Sequence, residues 1–329
     1  MTGMATSRGL RVAGADFDLA PQNRRKRYRV VVHGLRHFCQ KLPGLLGNEQ
    51  WEVLDRSRHR PVELANLVRD LRSCDLLFNW AGRIDMGRFL WAARYLGINK
   101  MVTFWCGSDV LRAQEFFAQG KVDSWIVSKI HWAASATLAD EVRAMGIPCE
   151  FVQASFVEQV LQPKPLPKTF SVLVFVPTSA SAELYGWDRI VSVARALPDM
   201  RFDLIGLHEG QRLKVPPNVT VHQWTSNVLS AYEQSTVLWR PVRHDAGISF
   251  MVLEALAHGR HVLYTYPVPG AVEVRSAEEA RRQLEHLRAL HDSGSLPLNQ
   301  LGREVVARNY TREVVRKELH RRWEEIILA

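Results

Sequence analysis

Residues 240–262 (RPVRHDAGISFMVLEALAHGRHV) concentrate the residue types that hold a phosphorylated ligand. The apolar run 236–239 (TVLW) reads as a strand that feeds Arg240-Pro241 and a polar loop. The pattern 250–258 then reads as a helix stopped by Gly259. Helix N-termini carry unpaired N–H groups and partial positive charge, so this loop suits a phosphate. The loop residues Asp245, Gly247, Ile248, Ser249 and Phe250 are candidates to hold it. Gly247 lets the backbone come close to a ligand, and Ser249 can cap the helix. Arg240, Arg243 and His244 offer positive charge, and arginine's planar fork matches phosphate. A solvated basic loop has the same composition. Glu254 and His258 lie i,i+4 on a polar face. A carboxylate at 254 can accept two hydroxyl hydrogen bonds, which a ribose diol offers. The preference of acidic side chains for the first helical turns accounts for it equally well.

Three apolar runs in the first half also end in polar groups. Residues 28–33 (YRVVVH) end at His33-Gly34, 75–79 (DLLFN) at Asn79-Trp80, and 100–105 (KMVTFW) at Cys106-Gly107-Ser108-Asp109. In parallel sheets ligands collect at such strand ends. Asp109 either holds or activates an acceptor hydroxyl, or serves as an N-cap or Asx-turn residue. His33 either faces the ligand or is a buried structural histidine. Trp80, beside Asn79, either stacks a sugar or covers the sheet end.

The elements that must position these residues follow one rhythm. Short apolar strands (28–33, 51–54, 75–79, 100–105, a strand within 125–134, and 150–154) alternate with helical patterns at 35–46, 62–71, 86–96 and 137–145. Parallel neighbours need a crossover, so this alternation predicts βαβ units. Pro163, Pro165 and Pro167 mark an extended joint. The rhythm restarts at 171–176 (SVLVFV) and continues through 201–205, 219–222, 236–239 and 261–264. Helical patterns follow at 187–196, 227–233, 250–258, 277–291 and 311–328. The expected division is a basic leader at 1–28, an acceptor domain at 29–160, a linker at 161–170, a nucleotide domain at 171–308 and a final helix at 309–329. Two doubly wound parallel sheets facing each other would leave a central cleft.

Composition narrows the classes. The 329 residues suit two domains. No run is long and apolar enough to span a membrane, and no apolar segment near the start resembles a secretory signal. Cys39, Cys74, Cys106 and Cys149 lie far apart without a CxxC pair, which argues against a zinc site and for a reducing cytoplasm. The net charge of +9 is compatible with nucleic acid, an anionic membrane surface or a phosphorylated substrate. Arg24-Arg25-Lys26-Arg27 reads as a solvated leader or as an anchor for anionic headgroups at the inner membrane face. Nucleic acid is the least favoured partner, because no zinc-finger, RNP or recognition-helix pattern is present.

The segment 240–264 resembles the donor-domain signature of retaining GT-B glycosyltransferases of family 4. Glu254-Ala255-Leu256-Ala257, Gly259 and the strand 261–264 match its second half. An acidic residue expected ahead of the helix falls on Ala246, with Asp245 adjacent. Residues 183–188 (ELYGWD), Leu197-Pro198 and 202–206 resemble the opening of that domain. The family's diphosphate-gripping basic pair is replaced by Thr178 or Ser179 and by Tyr185. Trp105-Cys106-Gly107-Ser108-Asp109 resembles the family's WxGSD-like turn, and Gly34 stands where the family passes close to donor and acceptor.

The resemblance implies an α/β GT-B fold, two Rossmann-like domains facing a cleft, whose final helix crosses back to the first. It implies a nucleotide-sugar donor (UDP- or GDP-linked) and retention of anomeric configuration. Glu254 inherits the ribose, Arg240, Arg243 and the loop the diphosphate, and Asp109, His33 and Asp245 the chemistry. The acceptor would be a carbohydrate, a lipid-linked molecule or a small molecule, with the positive charge leaning toward an anionic one. No cofactor is expected, and no metal, because no DxD-type pair stands at a strand end. The scaffold also hosts sugar-nucleotide epimerases and non-catalytic homologues. A dinucleotide oxidoreductase would need a GxGxxG turn, which His33-Gly34-Leu35-Arg36 lacks.

Overall fold

A computed structural model describes residues 27–57, 64–158, 160, 162–224 and 227–329. Nearly all of the basic leader, including Arg24-Arg25-Lys26, therefore lies outside the described residues. The first half runs β1 (Tyr28–Gly34), α1 (Arg36–Cys39), α2 (Leu42–Leu46), β2 (Trp51–Asp55), α3 (Leu64–Ser73), β3 (Leu76–Trp80) and α4 (Arg88–Tyr95). It continues with β4 (Met101–Trp105), α5 (Asp109–Ala118), α6 (Ser124–Val127), β5 (Ile130–Ala133), α7 (Ala136–Arg143) and β6 (Glu150–Phe151). The second half runs β7 (Ser171–Phe175), α8 (Trp187–Ala196), β8 (Arg201–Leu207), β9 (Val219–Gln223), α9 (Val228–Glu233) and β10 (Val237–Arg240). Then come α10 (Phe250–Ala257), β11 (His261–Tyr264), β12 (Val272–Glu273), α11 (Ala277–Asp292), α12 (Gln300–Asn309) and α13 (Arg312–Leu328).

The strands form two six-stranded sheets, ordered β2-β1-β3-β4-β5-β6 and β12-β11-β10-β7-β8-β9, with parallel pairing throughout. The molecule is thus α/β with two doubly wound sheets. Helices cover both faces, which is why the central strands are continuous apolar runs. Val30, Val31 and Val32 are fully buried, as are Val172 and Val174. In each sheet the strand order reverses once, at β1/β3 and at β7/β10. A crevice opens at such a switch point because the loops on its two sides lead away in opposite directions.

Several local expectations change. The helical pattern at 35–46 is two short helices, because Pro43 stands at the start of α2 and cannot continue a helix from α1. The segment 125–134 opens with α6, capped by Asp123, whose side chain accepts from Trp125 N and Ile126 N; its strand begins only at Ile130. The polar turn after β4 leads into α5, and α12 precedes the last helix; neither was expected.

The segment between the sheets lies on the second domain. Arg260, fully buried, donates to the Lys164 and Pro165 carbonyls at 2.9 and 3.2 Å, and a His291 ring nitrogen meets the Pro167 carbonyl at 2.8 Å. The chain returns at Val157, whose N–H donates to Tyr310 O while its carbonyl accepts from Arg312 N. From there α13 packs on the first sheet. Val315, Leu319, Trp323 and Ile327 join the core that holds Trp51 and Phe78.

Candidate functional site

A cleft of about 560 Å³ separates the two domains at the strand ends. Its second-domain wall is built around the β10–α10 loop. Arg240, the last residue of β10, is buried, and its Nε and Nη2 donate to Asp245 Oδ2 at 2.9 and 2.8 Å. Tyr264 Oη donates to the same oxygen at 3.0 Å, and Ala246 N donates to Oδ1 at 2.8 Å. The guanidinium sits 5.3 Å from the Tyr185 ring centre and 5.8 Å from that of Phe175. Burial opposes the Arg240 charge, but Asp245, Tyr264 and Tyr185 together outweigh it and keep the group protonated. Nη1 is buried with no hydrogen-bond partner among the described residues. Such an orphaned donor at a cleft is a place for a ligand oxygen.

α10 starts at the same point. Ser249 takes the N-cap position, but its hydroxyl makes no capping hydrogen bond, contrary to the sequence expectation. The first-turn N–H groups therefore have no side-chain cap. One turn on, Glu254 lines the cleft and accepts from Tyr232 Oη at 2.8 Å. Burial raises the Glu254 carboxyl above its ordinary range, with the Tyr232 hydrogen bond acting against that shift. Tyr232 is fully buried, and its phenol is pushed up by burial and by Glu254.

Of the residues expected from the sequence, Arg240, His244, Asp245, Ile248, Ser249, Phe250, Glu254 and Trp80 meet in this cleft. His33, Gly34, Asn79, Asp109, Arg243 and Gly247 do not line it. His33 turns into its own domain: Nδ1 donates to the Arg56 carbonyl at 2.9 Å, and the ring stacks on Phe89 at 3.6 Å. Asn79 is buried, with Nδ2 donating to Ala81 O at 2.7 Å. Asp109 opens α5 and accepts from the Gly82 and Cys106 N–H groups; burial raises its carboxyl, and those N–H groups partly oppose the rise. Gly34 has φ +129°, and a Cβ there would fall 2.1 Å from Trp80 O, so it serves strand passage. Arg243 is half-exposed and pairs with Glu183 and Asp188 at 3.2 and 3.0 Å. Gly247 has φ +81° and packs against Ser135 of the other domain, where a Cβ would meet the hydroxyl at 2.5 Å.

The first domain grips the loop at two further points. His244 Nε2 lies 2.8 Å from Glu141 Oε2, and Ser155 Oγ donates to Ile248 O at 3.2 Å. Sequence reasoning missed Phe38, Lys41 and Tyr232, which complete the site. The first sits on α1, the second in the break between α1 and α2, and the third on a helix paired with Glu254 only in space. Only Pro43 signalled the break in advance. Among the described residues no group of three or more His, Cys, Asp or Glu side chains is arranged to hold a metal. No described helix is long and apolar enough to cross a membrane.

No protein-family model and no curated protein sequence matches the chain. Solved structures do. The Anabaena protein HepE, crystallised with UDP-glucose, superposes with TM-score 0.67 at 11% identity, over 90% of this chain and 99% of that one. A glycosyltransferase from Rickettsia africae aligns with TM-score 0.62 at 11% identity, over 92% of this chain and 99% of its own. TarM from S. aureus, solved with UDP, aligns with TM-score 0.57 at 11% identity, over 81% of this chain and 59% of that one. The likeness establishes the fold as the GT-B arrangement of two facing α/β domains.

Proposed function

We propose that the chain is a glycosyltransferase that moves a sugar from a nucleotide-sugar donor, UDP- or GDP-linked, to a hydroxyl acceptor. One observation carries the reading: Arg240 with its orphaned Nη1, the uncapped start of α10 and the Glu254 carboxylate all border one cleft. The fold is that of proteins crystallised with UDP and UDP-glucose. Breaking a glycosyl–diphosphate bond builds negative charge on the leaving group, which preorganised donors stabilise. Arg240 and the α10 N–H groups supply those donors, and Glu254 takes the ribose diol. Asp245 serves by orienting Arg240, since both its oxygens are engaged. Within this reading the reaction needs no metal and retains anomeric configuration.

Calorimetry with UDP and GDP on the wild type and Glu254→Ala tests the donor site; equal affinity in both proteins would sink it. A second reading, a nucleotide-sugar binder without transfer, draws on the inward turn of His33 and Asp109. Release of UDP or GDP from a panel of sugar nucleotides plus acceptors separates an enzyme from such a binder.

A further inference from the structure

Away from the cleft, α4 turns two aromatic side chains to the solvent. Its sequence, RFLWAARY, buries Phe89, Leu90 and Ala93 in the first domain. Helical spacing brings Arg88, Trp91, Arg94 and Tyr95 onto the opposite, outer face, and all four are exposed. Trp91 is 59% and Tyr95 78% exposed, so two large rings meet water side by side. Their planes are 8° from parallel, with centres 5.5 Å apart. Adjoining apolar surface of this kind costs free energy until something covers it.

The surroundings are basic. Arg94 pairs at 3.6 Å with Asp123, the N-cap of α6, which sets α6 beside the end of α4. There Lys129 Nζ stands 4.8 Å over the Trp125 ring, and exposed Lys121 and Val122 lead into the helix. On the other side, α3 shares the buried cluster of Leu90 and Ala93 through Leu67 and Leu71, and it leaves Arg69 and Arg72 exposed. The carboxylates on these helices and their caps are engaged: Asp123 with Arg94, and buried Asp70 with Arg56 and Arg69. Among the described residues, Arg72, Arg88, Lys121 and Lys129 make no ion pair. Rings ringed by cations suit an anionic partner, and the ring geometry chooses between two. A nucleic-acid base needs an open ring face to stack on, whereas Trp91 and Tyr95 have each turned one face to the other. In a headgroup layer such rings bury an apolar body and keep the N–H and O–H at the water level, while the cations meet lipid phosphates.

We propose that the outer face of α4, with the basic residues of α3 and α6 around it, docks on an anionic phospholipid surface. The contact is peripheral, since no described helix is long and apolar enough to cross a membrane. Arg88, Trp91 and Tyr95 do not line the cleft, so docking is independent of what the cleft holds. The test sediments the full-length protein with vesicles of phosphatidylcholine alone, or of phosphatidylcholine and phosphatidylglycerol in equal parts. The wild type binds the anionic vesicles and not the neutral ones, and binding falls as salt is raised. Trp91→Ser combined with Tyr95→Ser weakens binding about tenfold or more. Arg88→Glu alone weakens it about fivefold or more. Both proteins melt as the wild type does, because the positions are exposed. Equal binding to neutral and anionic vesicles, binding to neither, or variants that bind as the wild type does each overturn the proposal. Oligothymidylate is the rival probe. If it displaces the protein from anionic vesicles and its own binding is lost in the Trp91→Ser, Tyr95→Ser protein, the face is a nucleic-acid platform and the lipid proposal is overturned.

Discussion

In the proposed donor site the protonation of Glu254 should control what can be held. The folded carboxyl titrates above its ordinary range because it is buried, and only the ionised form accepts two hydroxyl hydrogen bonds. Nucleotide affinity should therefore decline as pH falls, starting above the usual carboxylate range, and Glu254→Gln should bind weakly with a flat pH profile. Calorimetry across pH checks this. For stability the sign reverses. A folded pKa above the unfolded one contributes stability below the unfolded value, and this is lost as pH rises through the folded value. At neutral pH the ionised glutamate is a cost, so ligand-free Glu254→Gln should melt higher than wild type, with Tyr232 still able to donate to the amide oxygen. Asp109 makes the opposite case. Asp109→Ala orphans the Gly82 and Cys106 N–H groups and should cost about 1–3 kcal/mol in denaturant unfolding, while UDP affinity stays unchanged. The type of both acids, and their places on a helix and in the turn after a strand, were legible in the sequence. The direction each side chain takes was not, because it depends on Tyr232 and on the Gly82 N–H, which only the fold brings near.

At the scale of elements, the β10–α10 loop joins the two halves of the site. Its strand–loop–helix order could be read locally, since Arg240-Pro241 ends one period and 250–257 begins another. Its attachment to the first domain could not, since Glu141, Ser135 and Ser155 are distant in sequence. Gly247→Val combines a positive φ with a clash against Ser135, and should destabilise the fold by about 1–3 kcal/mol. Thermal melts of the free and UDP-bound protein would measure it, with the loss showing in both. α13 is the other joining element. Its buried stripe is Val315, Leu319, Trp323 and Ile327, with Ile326 only partly covered. Trp323→Ala removes a fully buried ring packed near Trp51 and Phe78 at 5.6 and 5.4 Å, and should cost about 3–5 kcal/mol. Because that ring belongs to the first-domain core, truncating the chain before α13 should unfold the amino-terminal sheet, visible as loss of near-ultraviolet circular dichroism.

Across the whole molecule, the cleft couples the domains. A ligand that touches both walls stabilises the native state by about 2.7 kcal/mol at a hundredfold excess over its Kd. UDP should raise the melting temperature of the wild type, and the rise should vanish in Glu254→Ala. Two doubly wound sheets, their proline-marked joint and the neighbourhood of Glu254 follow from the sequence alone. The reason is physical: strand and helix periodicity, proline chemistry and helix-end electrostatics act over a few residues, and the code for them is local. Only the tertiary structure decided which polar groups face the cleft. His33, Asn79 and Asp109 found carbonyl and N–H partners inside their own domain, and Phe38 with Leu35 took the surface they left. A buried polar group must be paired wherever its partner lies, and the position of that partner is a property of the packed chain.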